Sequence, residues 1–157
     1  DVVHAIVNRD GIGLIEGTLD EMLRALKACA EAGKAVYAMK PLGGGHLFRE
    51  AAAALAFVRD LPFVHAVAVG MKTLDELEMN LLVMDGSPVP EALVERTRGV
   101  PRSLEVEPWC SGCGRCVEAC RYGALKLGPE GVRVTRSLCI LCGYCAFACR
   151  DFCLKIY

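Results

Sequence analysis

The chain lacks a charge excess of either sign and lacks any long apolar run. Its 157 residues carry a formal net charge of −1, whereas a protein that mainly binds nucleic acid concentrates Lys and Arg in a basic patch. No apolar run reaches the roughly 18 residues that a membrane-spanning helix needs. We therefore expect neither nucleic acid as a partner nor a membrane span.

A signal peptide is also absent from the start of the sequence. Asp1 is followed directly by the strand-like run Val2–Val7, without the charged and apolar regions of a secretory signal. Disulfide frameworks form in oxidising compartments, so we expect a cytoplasmic protein with reduced cysteines. Because the sequence opens inside a strand-like run, we also expect a fragment that starts within a domain.

Cysteine, by contrast, is abundant. Eight of the ten cysteines form two runs with one spacing, Cys-x2-Cys-x2-Cys-x3-Cys. The first run is Cys110, Cys113, Cys116 and Cys120. The second run is Cys139, Cys142, Cys145 and Cys149. Three thiolates at i, i+3 and i+6 suit three corners of a cube-shaped iron–sulfur cluster, and the fourth ligand must come from elsewhere.

These runs resemble those of bacterial ferredoxins with two [4Fe–4S] clusters, over about residues 108–157. In that motif the fourth Cys of each run ligates the other cluster. The resemblance implies that one cluster is held by Cys110, Cys113, Cys116 and Cys149. It implies that the other is held by Cys139, Cys142, Cys145 and Cys120. Structural zinc more often uses two Cys-x2-Cys pairs separated by a longer loop, so zinc and disulfides are the weaker alternatives.

The two runs belong to an internal repeat with an offset of 29 residues. Residues 110–127 and 139–156 are identical at nine of eighteen positions, including positions beyond the cysteines, so the repeat predicts a unit of loop, helical turn and strand. Cys153 aligns with Ala124 and is therefore not expected to be a ligand, and Cys29 is expected to be a core residue. Arg121 and Arg150 stand where the ferredoxin pattern usually has Pro, and their positive charge should raise the cluster potential.

Two further expectations concern the surroundings of the clusters. Residues 101–157 carry eight basic and five acidic side chains, and this basic excess should partly neutralise the negative clusters. Four aromatic side chains within the repeats are expected to pack around the clusters and lower the local dielectric. These are Tyr122, Tyr144, Phe147 and Phe152.

The first hundred residues alternate strand-like and helical patterns. Strands are predicted at Val2–Val7, Ala35–Met39 and Val64–Val69. Helices are predicted from the capping-box signature at Thr18 to Gly33, over residues 48–59, from the second signature at Thr73 to Met84, and over Glu91–Arg98. Strands that alternate with helices predict a parallel sheet.

Part of this region resembles the aldo/keto reductases that carry iron–sulfur clusters. Met39–Gly45 is similar to their seventh-strand signature, and Val67–Thr73 to their eighth strand. The resemblance implies an α/β fold, the last three βα units of a partial (β/α)8 barrel with parallel strands, followed by a small α+β two-cluster ferredoxin-like domain. The family's catalytic Asp, Tyr, Lys and His lie on earlier strands, so no catalytic residue is expected here.

The same resemblance implies contacts to NAD(P)H in a complete barrel. The loops after strands seven and eight would cradle the phosphates, and a simple tight turn is the alternative. The candidate residues are Lys40, Gly43, Gly44, Gly45, Gly70, Met71 and Lys72. Glu76 stands where a basic residue often grips the NADP 2′-phosphate, which places a preference for NADP in doubt.

Three segments follow from these patterns: a partial barrel over residues 1–86, a linker with a short helix over 87–108, and a cluster domain over 109–157. The predicted function is electron transfer within an aldo/keto-reductase-like oxidoreductase, and a non-catalytic docking module of a larger redox complex is the alternative. The expected partners are a redox protein or a missing N-terminal barrel half, or a second copy of the chain, because an open half barrel exposes strand edges.

Overall fold

The computed structural model describes residues 1–98 and 102–157, and the chain divides into two units, Asp1–Pro101 and Arg102–Tyr157. The first unit contains a parallel sheet and helices, and the second contains two small antiparallel sheets and short helices. Within the described ranges, no helix has both the length and the apolar character needed to cross a membrane.

The sheet of the first unit has three parallel strands in the order β1-β2-β3. They are β1 (Val2–Ile6), β2 (Ala35–Met39) and β3 (Ala66–Ala68). Ile6 pairs with Met39, and Met39 pairs with Ala68, so the carboxyl ends of all three strands lie at one edge. The third strand is shorter than the sequence pattern predicts.

The described part of the first unit also has four α-helices, besides 3-10 turns at Gly43–Gly45 and Phe48–Glu50. The α-helices are α1 (Leu19–Glu31), α2 (Ala51–Arg59), α3 (Leu74–Asp85) and α4 (Glu91–Thr97). The capping box predicted at Thr18 is present, because the Thr18 side chain accepts from the Glu21 N–H while the Glu21 carboxylate accepts from the Thr18 N–H. At Thr73 only half of the box forms, since the carboxylate of Glu76 accepts from the N–H of Lys72 instead.

One face of the sheet is covered by helices. Val7, Val36 and Ala38 are fully buried and pack with Leu26 of α1 and Val58 of α2. Because side chains alternate along a strand, the neighbouring strand residues point to the opposite face of the sheet. On that face, Val2 is 66% exposed and Tyr37 is 37% exposed. The sheet is therefore apolar on both faces but covered by helices on one.

The second unit contains the cysteine repeats. Strand β4 (Leu104–Val106) pairs antiparallel with β7 (Leu154–Ile156), and β5 (Leu125–Gly128) pairs antiparallel with β6 (Gly131–Val134). Two short helices, α5 (Arg115–Glu118) and α6 (Tyr144–Ala148), lie one in each repeat. Each repeat therefore runs through a loop, a short helix and a strand, as the sequence repeat predicts.

Residues 87–108, predicted as a linker, contribute to both units. Leu93 of α4 is only 2% exposed and packs with Leu55 and Met79 in a core cluster of the first unit. Leu104 of β4 is buried in the core of the second unit. The described parts of this segment are thus anchored at both ends, and residues 99–101 lie outside the described ranges.

Candidate metal centres

Two cavities in the second unit are lined by cysteines. The first has a volume of about 320 Å³ and the second about 370 Å³, and both volumes include space that is open to solvent. The cysteines that line the first cavity are Cys110, Cys113, Cys116, Cys149 and Cys153. Those that line the second are Cys120, Cys139, Cys142 and Cys145. The structure therefore groups the eight repeat cysteines in the two sets that the crossed pattern predicts.

Local backbone geometry presents the first three cysteines of each run. Gly114 and Gly143 have φ values of 79° and 87° and stand immediately before α5 and α6. Such left-handed residues turn the loop sharply, so that Cys116 and Cys145 enter their helices facing inward and buried. The same turn in both repeats gives the two cavities a common construction.

The fourth cysteine of each run reaches the other cavity because it follows the helix. Cys120 comes two residues after α5 ends, and Cys149 comes directly after α6 ends. The two helices contact each other. A cysteine that leaves one helix therefore lies against the loop of the other repeat, and this contact produces the crossing.

The electrostatic neighbours of the buried thiols show the same grouping. Burial raises the pKa of Cys116, and the nearby charges of Cys110 and Cys149 raise it further. Burial raises the pKa of Cys145 to about 11, with further contributions from Cys139, Cys142 and Cys120. In each case, one neighbour is the fourth cysteine of the opposite run.

Cys149 differs from these thiols in the balance between burial and backbone hydrogen bonds. Burial raises its pKa, but hydrogen bonds from the backbone N–H groups of Cys153 and Asp151 outweigh this and leave the pKa lowered. The nitrogen of Cys153 lies 3.3 Å from the sulfur. A thiolate with such donors is a good metal ligand, since the thiolate is the form that binds metal.

The donor set of each cavity fits an iron–sulfur cluster better than a single ion. Four cysteines of the two runs line each cavity, joined by Cys153 in the first, and thiolates are the ligands that iron–sulfur clusters use. In the described part of the chain, no three His, Cys, Asp or Glu side chains are grouped so that they could hold a metal ion directly. The sulfurs therefore surround a space rather than a point, as a multi-atom cluster requires.

The linings of the two cavities differ in polarity. The first includes Ser111 and Asp151, whose side chains form a hydrogen bond of 2.8 Å. The second has Ile140 and Tyr122 at the corresponding repeat positions. The carboxylate of Asp151 places a negative charge beside the first cavity only, so the two sites are electrostatically unequal.

The aromatic side chains of the repeats do not form the packed shell expected from the sequence. Phe147 is 94% exposed, Phe152 is 71% exposed and Tyr144 is 66% exposed. Only Tyr122 lines a cavity. Leu125, Leu154 and Val132 provide the buried packing instead. The expectation that all four aromatic residues pack around the clusters is therefore wrong for three of them.

Cys153, which sequence reasoning set aside, is a residue of the first cavity. It is 1% exposed, and the equivalent Ala124 is buried to the same degree. Burial raises the pKa of the Cys153 thiol to about 11, and its proximity to Cys149 adds to the effect. Alignment of the two repeats shows that Cys153 is an extra thiol, but it does not show that Cys153 contacts Cys149. Cys29 is half-buried in α1, outside both cavities.

The predicted nucleotide contacts lie in the first unit, at the carboxyl edge of the sheet. Lys40 directly follows β2, and the Gly43–Gly45 turn follows it. The N–H of Gly43 donates to the carbonyl of Lys40, and that of Gly45 donates to the carbonyl of Leu42. These two donors are thus engaged inside the turn.

The loop after β3 is similarly occupied. Gly70 and Met71 follow β3, the Met71 sulfur accepts from the side-chain amide of Asn80, and the N–H of Lys72 donates to Glu76. The structure brings the two loops to one edge of the sheet because β2 and β3 are neighbours. Binding of NAD(P)H to these residues stays a prediction.

Residues 107–126 match the family Fer4, the 4Fe-4S binding domain. The match includes the whole of the first cysteine run. No curated protein and no solved structure matches the chain. The match supports binding of a 4Fe–4S cluster and, with it, iron–sulfur electron transfer.

Proposed function

We propose that the chain binds two [4Fe–4S] clusters, one in each cysteine-lined cavity, and transfers electrons between a donor and an acceptor. One observation carries the proposal: each cavity takes three cysteines from one run and the fourth from the other. The repeat supports a second cluster, because the second run has the same spacing as the run inside the matched domain.

The protein's contribution is to hold, insulate and tune each group. When bound, the clusters would supply one-electron transfer. Leu104, Leu125 and Ile140 give the second cavity an apolar wall that limits access of water. The backbone N–H groups around Cys149 stabilise negative charge on its sulfur, and hydrogen bonds to ligand sulfurs are a main determinant of cluster potential.

The broader setting that we propose is an aldo/keto-reductase-like oxidoreductase in which the first unit is part of a (β/α)8 barrel. Three parallel strands with helices on one face are compatible with such a barrel, whose inner face is filled by side chains from further strands. The bare apolar face with Val2 and Tyr37 would then point inward. NAD(P)H would bind at the carboxyl edge, beside Lys40 and Gly70.

A second candidate is a non-catalytic docking module that carries the cluster unit within a larger redox complex. The backbone N–H groups of Gly43, Gly45 and Lys72 already donate within their own loops. A phosphate would therefore have to displace internal hydrogen bonds at these three positions. This observation favours a structural role for the loops.

Metal analysis tests the cluster proposal. The chain, purified and reconstituted under argon, should contain about eight iron and about eight labile sulfide per chain. Stoichiometric zinc, or only about four iron, would contradict two clusters. The proposed setting is tested by titration calorimetry with NADPH and NADH on a complete barrel that contains this chain. The reductase proposal requires a measurable affinity there, and Lys40→Ala should weaken it.

A further inference from the structure

The second repeat exposes aromatic side chains where the first repeat exposes polar ones. Tyr144 and Phe147 of α6 correspond to Arg115 and Glu118 of α5. All four are exposed. The backbone of the two repeats is alike, so this difference does not arise from the fold, and the aromatic pair contributes little to the core.

Tyr144 and Phe147 lie on one side of α6, because residues three apart on a helix are neighbours. The same helix carries Cys145, which lines the second cavity. Tyr144 is also an electrostatic neighbour of Tyr122, another lining residue. The exposed aromatic pair is therefore the surface next to the second cavity.

A positive charge borders this surface. Arg121 follows Cys120 directly and acts electrostatically on Tyr122. It is exposed, and it forms no ion pair within the described residues. Aromatic residues and Arg are the side chains enriched at protein interfaces, and an unpaired Arg beside an apolar pair is complementary to a partner with an acidic rim.

We propose that Tyr144, Phe147 and Arg121 form a docking surface for a redox partner protein that presents an apolar patch bordered by acidic side chains. The inference rests on the proposed electron-transfer function and adds the site and chemistry of the partner. Electron exchange would take place through the second cavity, because Tyr144 adjoins Cys145, which lines that cavity, and electron transfer slows steeply with distance.

The experiment measures electron transfer from the dithionite-reduced chain by stopped flow. The protein probe is a flavodoxin of negative net charge, and a soluble neutral quinone serves as an acceptor that needs no docking. Phe147→Glu copies the residue of the first repeat, and Glu118→Ala is the matched control. Phe147→Glu should lower the second-order rate constant with the flavodoxin about tenfold or more, as loss of a central interface residue does. Glu118→Ala should leave that rate constant within about twofold of the wild-type value. Neither variant should change the rate constant with the quinone.

Charge is tested separately. The rate with the flavodoxin should fall as salt increases, and Arg121→Glu should lower it at low salt, because screening weakens attraction between opposite charges. If Phe147→Glu loses iron, Tyr144→Ala tests the same surface and should also lower the rate constant with the flavodoxin. Equal flavodoxin rates for the wild type and these variants would overturn the docking surface.

Two other outcomes would reassign the surface. Dimerisation of the chain that Phe147→Glu abolishes would make a second copy the occupant, and binding to anionic lipid vesicles that the same variant abolishes would make it a membrane contact. Both overturn the proposal of a protein redox partner. Failure of the proposed electron-transfer function gives a different result from failure of the docking surface. A chain without clusters would reduce neither the flavodoxin nor the quinone.

Discussion

The backbone N–H of Cys153 donates a hydrogen bond to the sulfur of Cys149, with 3.3 Å between the two atoms. The side chain of Cys153 is itself buried in the same cavity, with its sulfur 3.7 Å from the carbonyl oxygen of Asp151. The first cavity thus contains five cysteines, one more than the proposed cluster needs. Cys153 supports the proposed ligand Cys149 through its backbone N–H, which any residue except proline would provide.

Replacement of Cys153 by Ala should therefore leave both clusters in place. The variant keeps the backbone N–H donor. It also gives the second repeat the alanine that the first repeat has at the equivalent position, Ala124. Iron and sulfide analysis should give about eight of each, as in the unmodified chain. Loss of about four iron would identify Cys153 as a ligand.

The proposed crossed ligation makes a prediction for pairs of substitutions. Cys113→Ala with Cys149→Ala removes two ligands of one cavity, whereas Cys113→Ala with Cys120→Ala removes one from each. Where loss of one ligand releases a cluster, the first pair should retain about four iron and the second almost none. The reverse result would show that each run holds its own cluster. Iron analysis and the EPR spectrum of the reduced chain provide the measurement.

The Asp151 carboxylate should make the two clusters differ in reduction potential. A negative charge beside the first cavity opposes the addition of an electron, and cluster potential depends on nearby charge. Asp151→Asn keeps the shape and a hydrogen-bond acceptor for Ser111 but removes the charge. One of the two midpoint potentials should rise, as followed by anaerobic redox titration, while the other stays constant. Tyr122→Phe, at the equivalent repeat position, is the control and should leave both potentials in place.

Phe152 occupies a backbone conformation that the first repeat assigns to glycine. Its φ is 51°, and the equivalent Gly123 has φ 62°. A non-glycine residue in this left-handed region costs about 1–2 kcal/mol, and the exposed Phe152 side chain recovers little of this by burial. Phe152→Gly should therefore slow the thermal loss of clusters under argon, and Gly123→Ala, which meets no atom within 4 Å, should accelerate it. A faster loss in Phe152→Gly would show that the Phe152 side chain stabilises the unit.

The capping box of α1 should contribute to the stability of the first unit. Thr18→Ala removes the oxygen that accepts from the Glu21 N–H at 3.3 Å, a loss typically worth about 1 kcal/mol. Amide hydrogen exchange along α1 should become faster, whereas Thr18→Ser, which keeps the hydroxyl, should exchange as the unmodified chain does. Unchanged protection in Thr18→Ala would mean that tertiary packing alone holds the helix.

The same capping box makes stability depend on pH. Hydrogen bonds from the Thr18 side chain and backbone lower the pKa of Glu21 below its ordinary value of 4.5. A lowered folded-state pKa stabilises the protein above the unfolded value, and this contribution disappears as the pH falls through the folded value. Protection of α1 should therefore decrease below about pH 4.5. In Glu21→Gln this part of the decrease should be absent, and an unchanged pH profile would exclude the contribution.

The sequence predicted much of the local structure because its signals are local. The Thr18 capping box and the strand Ala35–Met39 form as predicted, since both depend on residues within a few positions of one another. The boundaries of β3 were less accurate, because a strand end depends on its pairing with β2 rather than on its own composition. The capping box at Thr73 forms only in part, because the Glu76 carboxylate accepts from the backbone N–H of Lys72. The sequence signature does not show this competing donor.

The aromatic residues show where a pattern was insufficient. Phe147 and Phe152 are apolar and lie within the repeats, which favoured burial, but the space around each cavity is already filled by Leu125, Val132 and Leu154. Which apolar residues enter a core depends on how the strands and helices pack together. That packing has no signature in the sequence of either repeat.

By itself, the sequence determined the eight candidate ligands, because the spacing of a cluster motif is a property of the chain. The resemblance to two-cluster ferredoxins implied how those cysteines divide between two sites. Only the tertiary structure showed the packing behind this division, the contact of Cys153 with Cys149, and the position of Asp151 beside the first cavity. The physical reason is that α5 and α6 pack against each other, so each helix delivers its last cysteine to the loop of the other repeat. Contacts of this kind join residues about 30 positions apart, such as Cys116 and Cys149, and arise from packing rather than from spacing.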